Sequence, residues 1–404
     1  MIGMSRGTRA LVLLVSTPLV ALVLVGGLLG AVQAPPQEEI RHLRVFYDVV
    51  QRIHDAYVEP ANMDQVMDGA MRGLADSLDP DSSYLTPEDV KVLEARTPLP
   101  DGEIGVIVSR QYYLRVIGIE DGSPADRAGL QTGDFIRAIG ETPTRDMSAF
   151  AGARLLRGPV GSTVSLLIIR GNAADPHEIT VVREAPRTER AAGQLLETGE
   201  AYVRVASFEE GAAAALRTAV TALGSAATAP GVIIDIRDTA DGDHTEGIAA
   251  ARLFVKSGVL ATRIRRNATP VIVETAAGDG AFAMPIVLLV SNGTAHAAEV
   301  FAAALANNDR ATLIGEPTAG IAATQQLFTL PQGHGLWMTT ERYVQTDGTP
   351  IHGRGLSPDV PLAIPRIGFD EQPSTTDDVL DRAREELAGT GSAPREADEA
   401  PAPR

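Results

Sequence analysis

Apolar and polar positions along the chain change rhythm four times, and each change marks a different kind of element. Residues 11–32 are an almost unbroken apolar run. A run longer than about 18 residues suits a membrane-spanning helix. In residues 38–58 the apolar side chains fall at Ile40, Leu43, Phe46, Val50, Ile53 and Tyr57, steps of three and four that make one helical face. A second helix is predicted over 62–78, with Val66, Ala70, Leu74 and Leu78 inward, ended by Asp79-Pro80-Asp81. Thr86-Pro87-Glu88 opens a short helix, with Thr as N-cap and Pro at the first helical position. Short β-rich runs follow at 104–108, 114–119, 135–139 and 164–169. From residue 190 strands and helices alternate: strands at 201–206, 231–236, 286–291 and 312–314, helices at 209–224, 246–255 and 296–307. That alternation predicts an α/β core. After residue 365 the chain turns Pro-, Asp-, Glu- and Ala-rich, with a short helix at 376–388 inside an otherwise solvated acidic tail.

Composition narrows the picture. With 44% hydrophobic residues the chain is globular over most of its length. There is no cysteine, so disulfides and thiolate chemistry are excluded. A net charge of −17 with no basic stripe argues against nucleic acid as a partner. Arg6 and Arg9 precede the apolar run and Glu38 and Glu39 follow it, which places the N-terminus inside and the rest outside. A cleaved signal peptide is the alternative, with Val32-Gln33-Ala34 as its small-residue site, but Pro35 follows at once and the run is long for such a segment. Both readings carry the residues after Pro36 across a membrane; in a bacterium that means the periplasm, with a single-pass anchor in the inner membrane or, after cleavage, an exported protein.

Three motifs carry the chemistry. The turn Ser291-Asn-Gly-Thr-Ala-His-Ala-Ala-Glu299 leads from a buried strand into an Ala-rich helix. It resembles the nucleophile motif of the C-terminal processing peptidases, the tail-specific serine proteases. That family reads Gly-Ser-Ala-Ser-Ala-Ser-Glu, and its middle serine attacks the peptide bond. Here Gly293 and Glu299 fix the frame and His296 stands at the attacking position. The segment Gly315-Glu-Pro-Thr-Ala-Gly-Ile-Ala-Ala-Thr-Gln325 resembles the family's general-base motif, with Ile321 at the lysine position and the orienting glutamine retained as Gln325. The oxyanion loop of the family, Asp-Leu-Arg-Asn-Asn-Pro-Gly-Gly, corresponds to Asp235-Ile-Arg-Asp-Thr-Ala-Asp-Gly242, so Asp241 and Gly242 occupy the glycine pair. An aspartate there brings a negative charge beside the place where an oxyanion would form. Asp235 and Arg237 have a structural reading as a buried strand end with its pairing partner.

Gly122-Ser-Pro-Ala-Asp-Arg-Ala-Gly-Leu-Gln-Thr-Gly-Asp134 resembles a permuted PDZ domain of bacterial proteases. A PDZ domain adds an extended peptide at its sheet edge and captures the terminal carboxylate on a loop. The resemblance puts that site at Ile104, Gly105, Val106 and Ile107. Tyr202-Val-Arg-Val-Ala-Ser-Phe208 and Gly353-Arg-Gly-Leu-Ser-Pro-Asp359 match the family's first core strand and closing motif.

The resemblance implies a crotonase-like (ClpP/crotonase-type) α/β core over 190–364 with an inserted PDZ domain over 102–186. It adds an N-terminal helical segment over 38–96, a membrane anchor or signal over 1–34 and an acidic, mostly disordered tail over 365–404. It implies peptide or unfolded protein C-termini as ligands, with an active protease paralogue or an adaptor as a further partner, and leaves oligomerisation open. With His296 and Ile321 at the serine and lysine positions, hydrolysis by the family mechanism is expected to be lost. A rearranged serine-type endopeptidase cleaving near protein C-termini, with Thr294 as nucleophile, is the alternative; Thr294 reads more simply as a turn or cap residue. Asp241, Asp243, His244 and His296 have the spacing of no zinc motif, and no Gly-rich loop precedes a lysine, so no metal and no cofactor are assigned.

Overall fold

The N-terminal periodicity is realised as α1 (Gln37–Ala56) and α2 (Met63–Asp76) in the computed structural model, which describes residues 37–95, 99–171, 176–224, 231–369, 371 and 376–390. The expected span at 11–32 lies outside the described residues; among these no helix is long and apolar enough to cross a membrane. Described residues up to Ala70 form one compact unit and those from Met71 a second. Two expectations about inward faces fail here. Leu43 is exposed on α1, and Tyr57 is exposed past the helix end at Ala56. Leu74 and Leu78 are exposed too: α2 buries Ala75 instead, and Leu78 lies past the helix end.

After the end of α2 the second unit holds β1 (Ser83–Leu85) and α3 (Pro87–Glu94), the latter capped by the Thr86 hydroxyl, which accepts from Asp89 N–H at 3.2 Å. The β-rich stretch then forms β2 (Val106–Gln111), β3 (Tyr113–Ile119), α4 (Pro124–Arg127), β4 (Phe135–Ile139), β5 (Thr142–Pro143), α5 (Ala149–Leu156), β6 (Thr163–Ile169) and β7 (His177–Val182). Its sheet runs β2-β3-β4-β6-β7, with β5 beside β4, so β2 is an outer strand. Leu114, Val116, Ile136, Leu166 and Ile168 alternate inward and are fully buried. The first strand starts two residues later than the pattern predicts, because Gly105 takes a positive φ of 75° and turns Ile104 out of the ladder.

The alternating half supplies β8 (Ala191–Leu195), β9 (Ala201–Val205), α6 (Ala212–Gly224), β10 (Val232–Asp235), α7 (His244–Ala251), β11 (Val259–Arg265), β12 (Val271–Glu274), β13 (Ile286–Val290), α8 (Ala297–Ala306), β14 (Ala311–Gly315), β15 (Ala323–Thr329), β16 (Gly335–Val344), β17 (Val360–Pro361) and α9 (Asp378–Thr390). One sheet runs β17-β14-β13-β10-β9-β8, parallel except for β8. Every residue of β10 and β13 is buried, as central parallel strands require. Val232 and Ile234 pack toward α6, α7 and α8, while Ile233 meets Val379, Ala383 and Leu387 of α9 on the opposite face. The region read as a mostly disordered tail therefore contains a helix that seals the core, since those three side chains fall on one face. A second, antiparallel sheet of β1, β16, β11 and β12, with β15 on β16, has no counterpart in the sequence expectations. Its long strand β16 is half-buried at most positions and shows no clean alternation.

Candidate functional site

Strand β13 ends in the middle of the parallel sheet, and the chain must turn sharply to enter α8. Thr294 closes the turn. Its hydroxyl donates to the Ile236 carbonyl (2.9 Å) and accepts from the Ser291 N–H (3.0 Å), and the residue has no exposed surface. Ala295 N–H is tied to the Thr239 carbonyl at 3.0 Å. The next residue, His296, is forced to φ 51° and ψ −117° as the N-cap of α8, with no side-chain capping bond. A non-glycine residue held there carries about 1–3 kcal/mol of strain, and such strain persists only where the surroundings over-determine it. The geometry is that of an elbow that raises one side chain at a helix N-terminus.

Glu299, at the third helical position, over-determines it. Its carboxylate has no exposed surface and accepts from the His296 backbone N–H, from Gly320 N–H (2.7 Å), from Ile321 N–H (2.7 Å) and from the Thr318 hydroxyl. The reach back to the N-cap is one half of a capping box. Burial pushes this carboxyl up to about 7, against the pull of those donors. One side chain thus locks the elbow and the 318–321 segment together.

The side chains so placed are an imidazole and an aliphatic group. Burial holds the His296 imidazole down to about 4, assisted by His244 and His352, so it is neutral at pH 7. The His244 ring lies 6.4 Å away, stacks on Tyr343 (4.6 Å) and is likewise pushed down to about 4 by burial. Ile321 packs with Ile117, Ala240 and Ala295 in a small apolar cluster, with Ile107 at its margin. Two of these, Ile107 and Ile117, come from β2 and β3, so the smaller domain packs onto the elbow region. Gln325, one turn of sequence beyond Ile321, lies on β15 and donates to the Thr339 hydroxyl at 3.3 Å. Asp241 accepts from the Ser207 hydroxyl at 3.0 Å, and burial pushes its carboxyl up to about 6. Gly242 has φ 107° and a Cβ there would lie 2.1 Å from the Phe208 carbonyl carbon, so only glycine fits. Among the described residues no three His, Asp or Glu are placed to hold a metal ion.

At the end of β10, Asp235 is 2% exposed and accepts from Arg237 and from the Tyr202 hydroxyl (2.8 Å). Burial alone would raise its carboxyl, but Arg237 and Arg204 outweigh burial and hold it below the usual range. Arg237 also pairs with Asp377 at 2.8 Å, which fixes the start of α9.

Residues 200–362 match peptidase family S41, and residues 115–170 match a PDZ domain. A carboxyl-terminal-processing protease of Synechocystis sp. is 33% identical over 318 residues, 77% of this chain and 74% of the relative. The chain belongs to the carboxyl-terminal processing proteases of family S41. A further family member, from Bartonella bacilliformis, is 29% identical and covers 81% of this chain and 77% of its own length. The structure of the photosystem II D1 C-terminal processing protease superposes with a TM-score of 0.66 at 26% identity, over 80% of this chain and 88% of that one. The S41 fold and the PDZ domain seen above are thus those of the family.

Ile104, Gly105, Val106 and Ile107 line a groove of ≈ 350 Å³ between the outer edge of β2 and α5. Gly105 is required: a Cβ there would lie 2.3 Å from that of Ser123. The same groove reaches Asp241, which the sequence assigns to a different site. Sequence reading used Glu299 only to align a motif, although a glutamate three residues after a helix start is itself a capping signal. Glu120 and Arg187, which also line the groove, were missed; no local pattern distinguishes them from surface charges.

Proposed function

We propose that this S41-family chain is a pseudoprotease, a receptor that holds peptides or unfolded protein segments along its PDZ edge without cutting them. The observation that carries this reading is the elbow: the residue raised at the helix N-terminus is a neutral imidazole, and the neighbouring base position is an isoleucine in an apolar cluster. A serine-type mechanism needs a hydroxyl and a group that takes its proton. Thr294 does not replace the hydroxyl, because both sides of its oxygen are engaged inside the turn. Without a lysine, Gln325 has no base to orient, in keeping with its bond to Thr339. The core is of crotonase type on this reading. The chain is anchored by residues 11–32 in the inner membrane of a bacterium, with the groove in the periplasm. An active protease paralogue or adaptor would be served by such a receptor.

The names of the relatives favour one other reading, a working endopeptidase with a rearranged site. Purified protein incubated with a fluorogenic unfolded substrate and with a fluorophosphonate probe separates the two. No turnover and no labelled residue are expected, alongside saturable peptide binding. Turnover that Thr294→Ala abolishes would refute the receptor reading.

A further inference from the structure

The groove along β2 carries more acidity at one end than an apolar peptide site requires. Its floor is Ile104, Val106 and Val108, facing Ala153 and Leu156 of α5. At the other end four carboxylates line it, from Glu103, Glu120, Glu209 and Asp241, against the three guanidiniums of Arg157, Arg187 and Arg190. Two of the cations are already matched: Arg157 pairs with Glu103 and Arg190 with Glu209. Arg187 donates to the Asp121 carbonyl. Among the described residues neither Glu120 nor Asp241 forms an ion pair within 4.0 Å. Asp241 accepts from the Ser207 hydroxyl and from its own backbone N–H. The more distant pull of Arg190 on Asp241 and of Arg187 on Glu120 does not offset burial, which leaves both carboxyls raised. Glu120 stands directly behind the loop where a PDZ domain would take a carboxylate. Its N–H donates to the Gly105 carbonyl at 3.0 Å, and its Cβ lies 3.4 Å from the position of a Gly105 Cβ. A free carboxylate on that loop would meet like charges, whereas a cation would meet two acids with no ion-pair partner in contact.

We propose that the groove selects extended peptides that place a lysine or arginine side chain between Glu120 and Asp241, in preference to peptides ending there in a free carboxylate. The inference rests on the peptide-receptor reading and supplies its ligand class. Apolar residues of the peptide lie on Ile104 and Leu156, backbone groups add to the open edge of β2, and the cation neutralises the acidic end. Glu120 is pushed up to about 7 by burial and by Glu103, Asp241 and Glu209, and Asp241 to about 6 by burial. A bound cation draws both back to the ionised form, so the preference weakens as the pH falls through that range.

The test is fluorescence anisotropy with labelled apolar decapeptides carrying lysine or norleucine at one position, each as free acid and as amide. The lysine peptide is expected to bind about tenfold tighter than the norleucine peptide at pH 8, with acid and amide alike, and to lose most of that gain at pH 5.5. In the Glu120→Gln/Asp241→Asn variant the lysine and norleucine peptides are expected to bind equally. Peptides that bind in the groove with a preference for the free acid, and with no gain from lysine, overturn the selectivity while leaving the receptor reading intact. If no peptide binds, or if Val106→Asp does not disturb binding, the groove reading itself falls and the selectivity with it.

Discussion

His296→Ser removes a half-buried imidazole that its surroundings hold in the neutral form, and the consequence is a change in how stability depends on pH. The ring's ordinary value of 6.5 is pushed down to about 4, first by burial and then by His244 and His352. Between those two values the unfolded chain binds a proton at this site and the folded chain does not. The stability this group contributes is therefore complete above pH 6.5 and is lost as the pH falls toward 4. At 1.36 kcal/mol per tenfold, the whole window amounts to about 3 kcal/mol, and about 2 kcal/mol of it is lost by pH 5. Other groups act in the same window with the opposite sign: Glu299, Glu120 and Asp81 are pushed up to about 7, so their contribution declines as the pH rises. The informative quantity is thus the difference between parent and variant, not the parent's slope. Urea denaturation of both at pH 8 and pH 5 is the assay, with the His296 ring titrated by NMR as an independent readout. The stability gap between parent and His296→Ser should shift by about 2 kcal/mol in favour of the variant on going to pH 5. An unchanged gap, or a ring that titrates near 6.5, would refute the claim that the elbow holds its side chain desolvated.

Three further perturbations probe the same region. Glu299→Gln offers one acceptor and an unwanted donor to the N–H groups of Gly320 and Ile321, and should destabilise by about 1–3 kcal/mol in chemical denaturation. Because the parent carboxyl is raised to about 7, its contribution is full below 4.5 and lost as the pH rises through 7, so this difference should be larger at pH 5 than at pH 8. Arg237→Ala leaves the buried Asp235 carboxylate with only Arg204 and the Tyr202 hydroxyl and frees Asp377; a loss of about 3 kcal/mol is expected, with early exchange of amide hydrogens in α9. The triple change His296→Ser/Ile321→Lys/Asp241→Gly keeps the elbow, Glu299 and Gln325 and should gain reaction with a fluorophosphonate probe; a folded variant that stays unlabelled would show that more than these three positions had diverged.

Local pattern alone carried much of the architecture. Buried parallel strands announce themselves as short apolar runs such as Ile286–Val290, because both faces of a central strand must be apolar. Thr86 marks a helix start because an unpaired N–H there needs an acceptor close in sequence. The motif turns around His296 and Ile321 were legible through their resemblance to the family's motifs, each a contiguous stretch. What the chain could not reveal locally depends on contacts between residues far apart. The second sheet is one case: β16 is half-buried on a mixed surface, so its pairing with β1 and β15 imposes no clean alternation. The burial of α9 is another, since an acidic helix reads as solvated until Val379, Ala383 and Leu387 find the face of the parallel sheet. The strain at His296 is a third: φ 51° is imposed by Thr239, Thr294 and the reach of Glu299, not by histidine itself. The meeting of Glu120 with Asp241, 121 positions apart, is a fourth: it exists only because the PDZ sheet packs beside the 238–242 segment. Sequence determines which segments are apolar, capped or turned; desolvation and charge at a site arise only when packing removes the water between them.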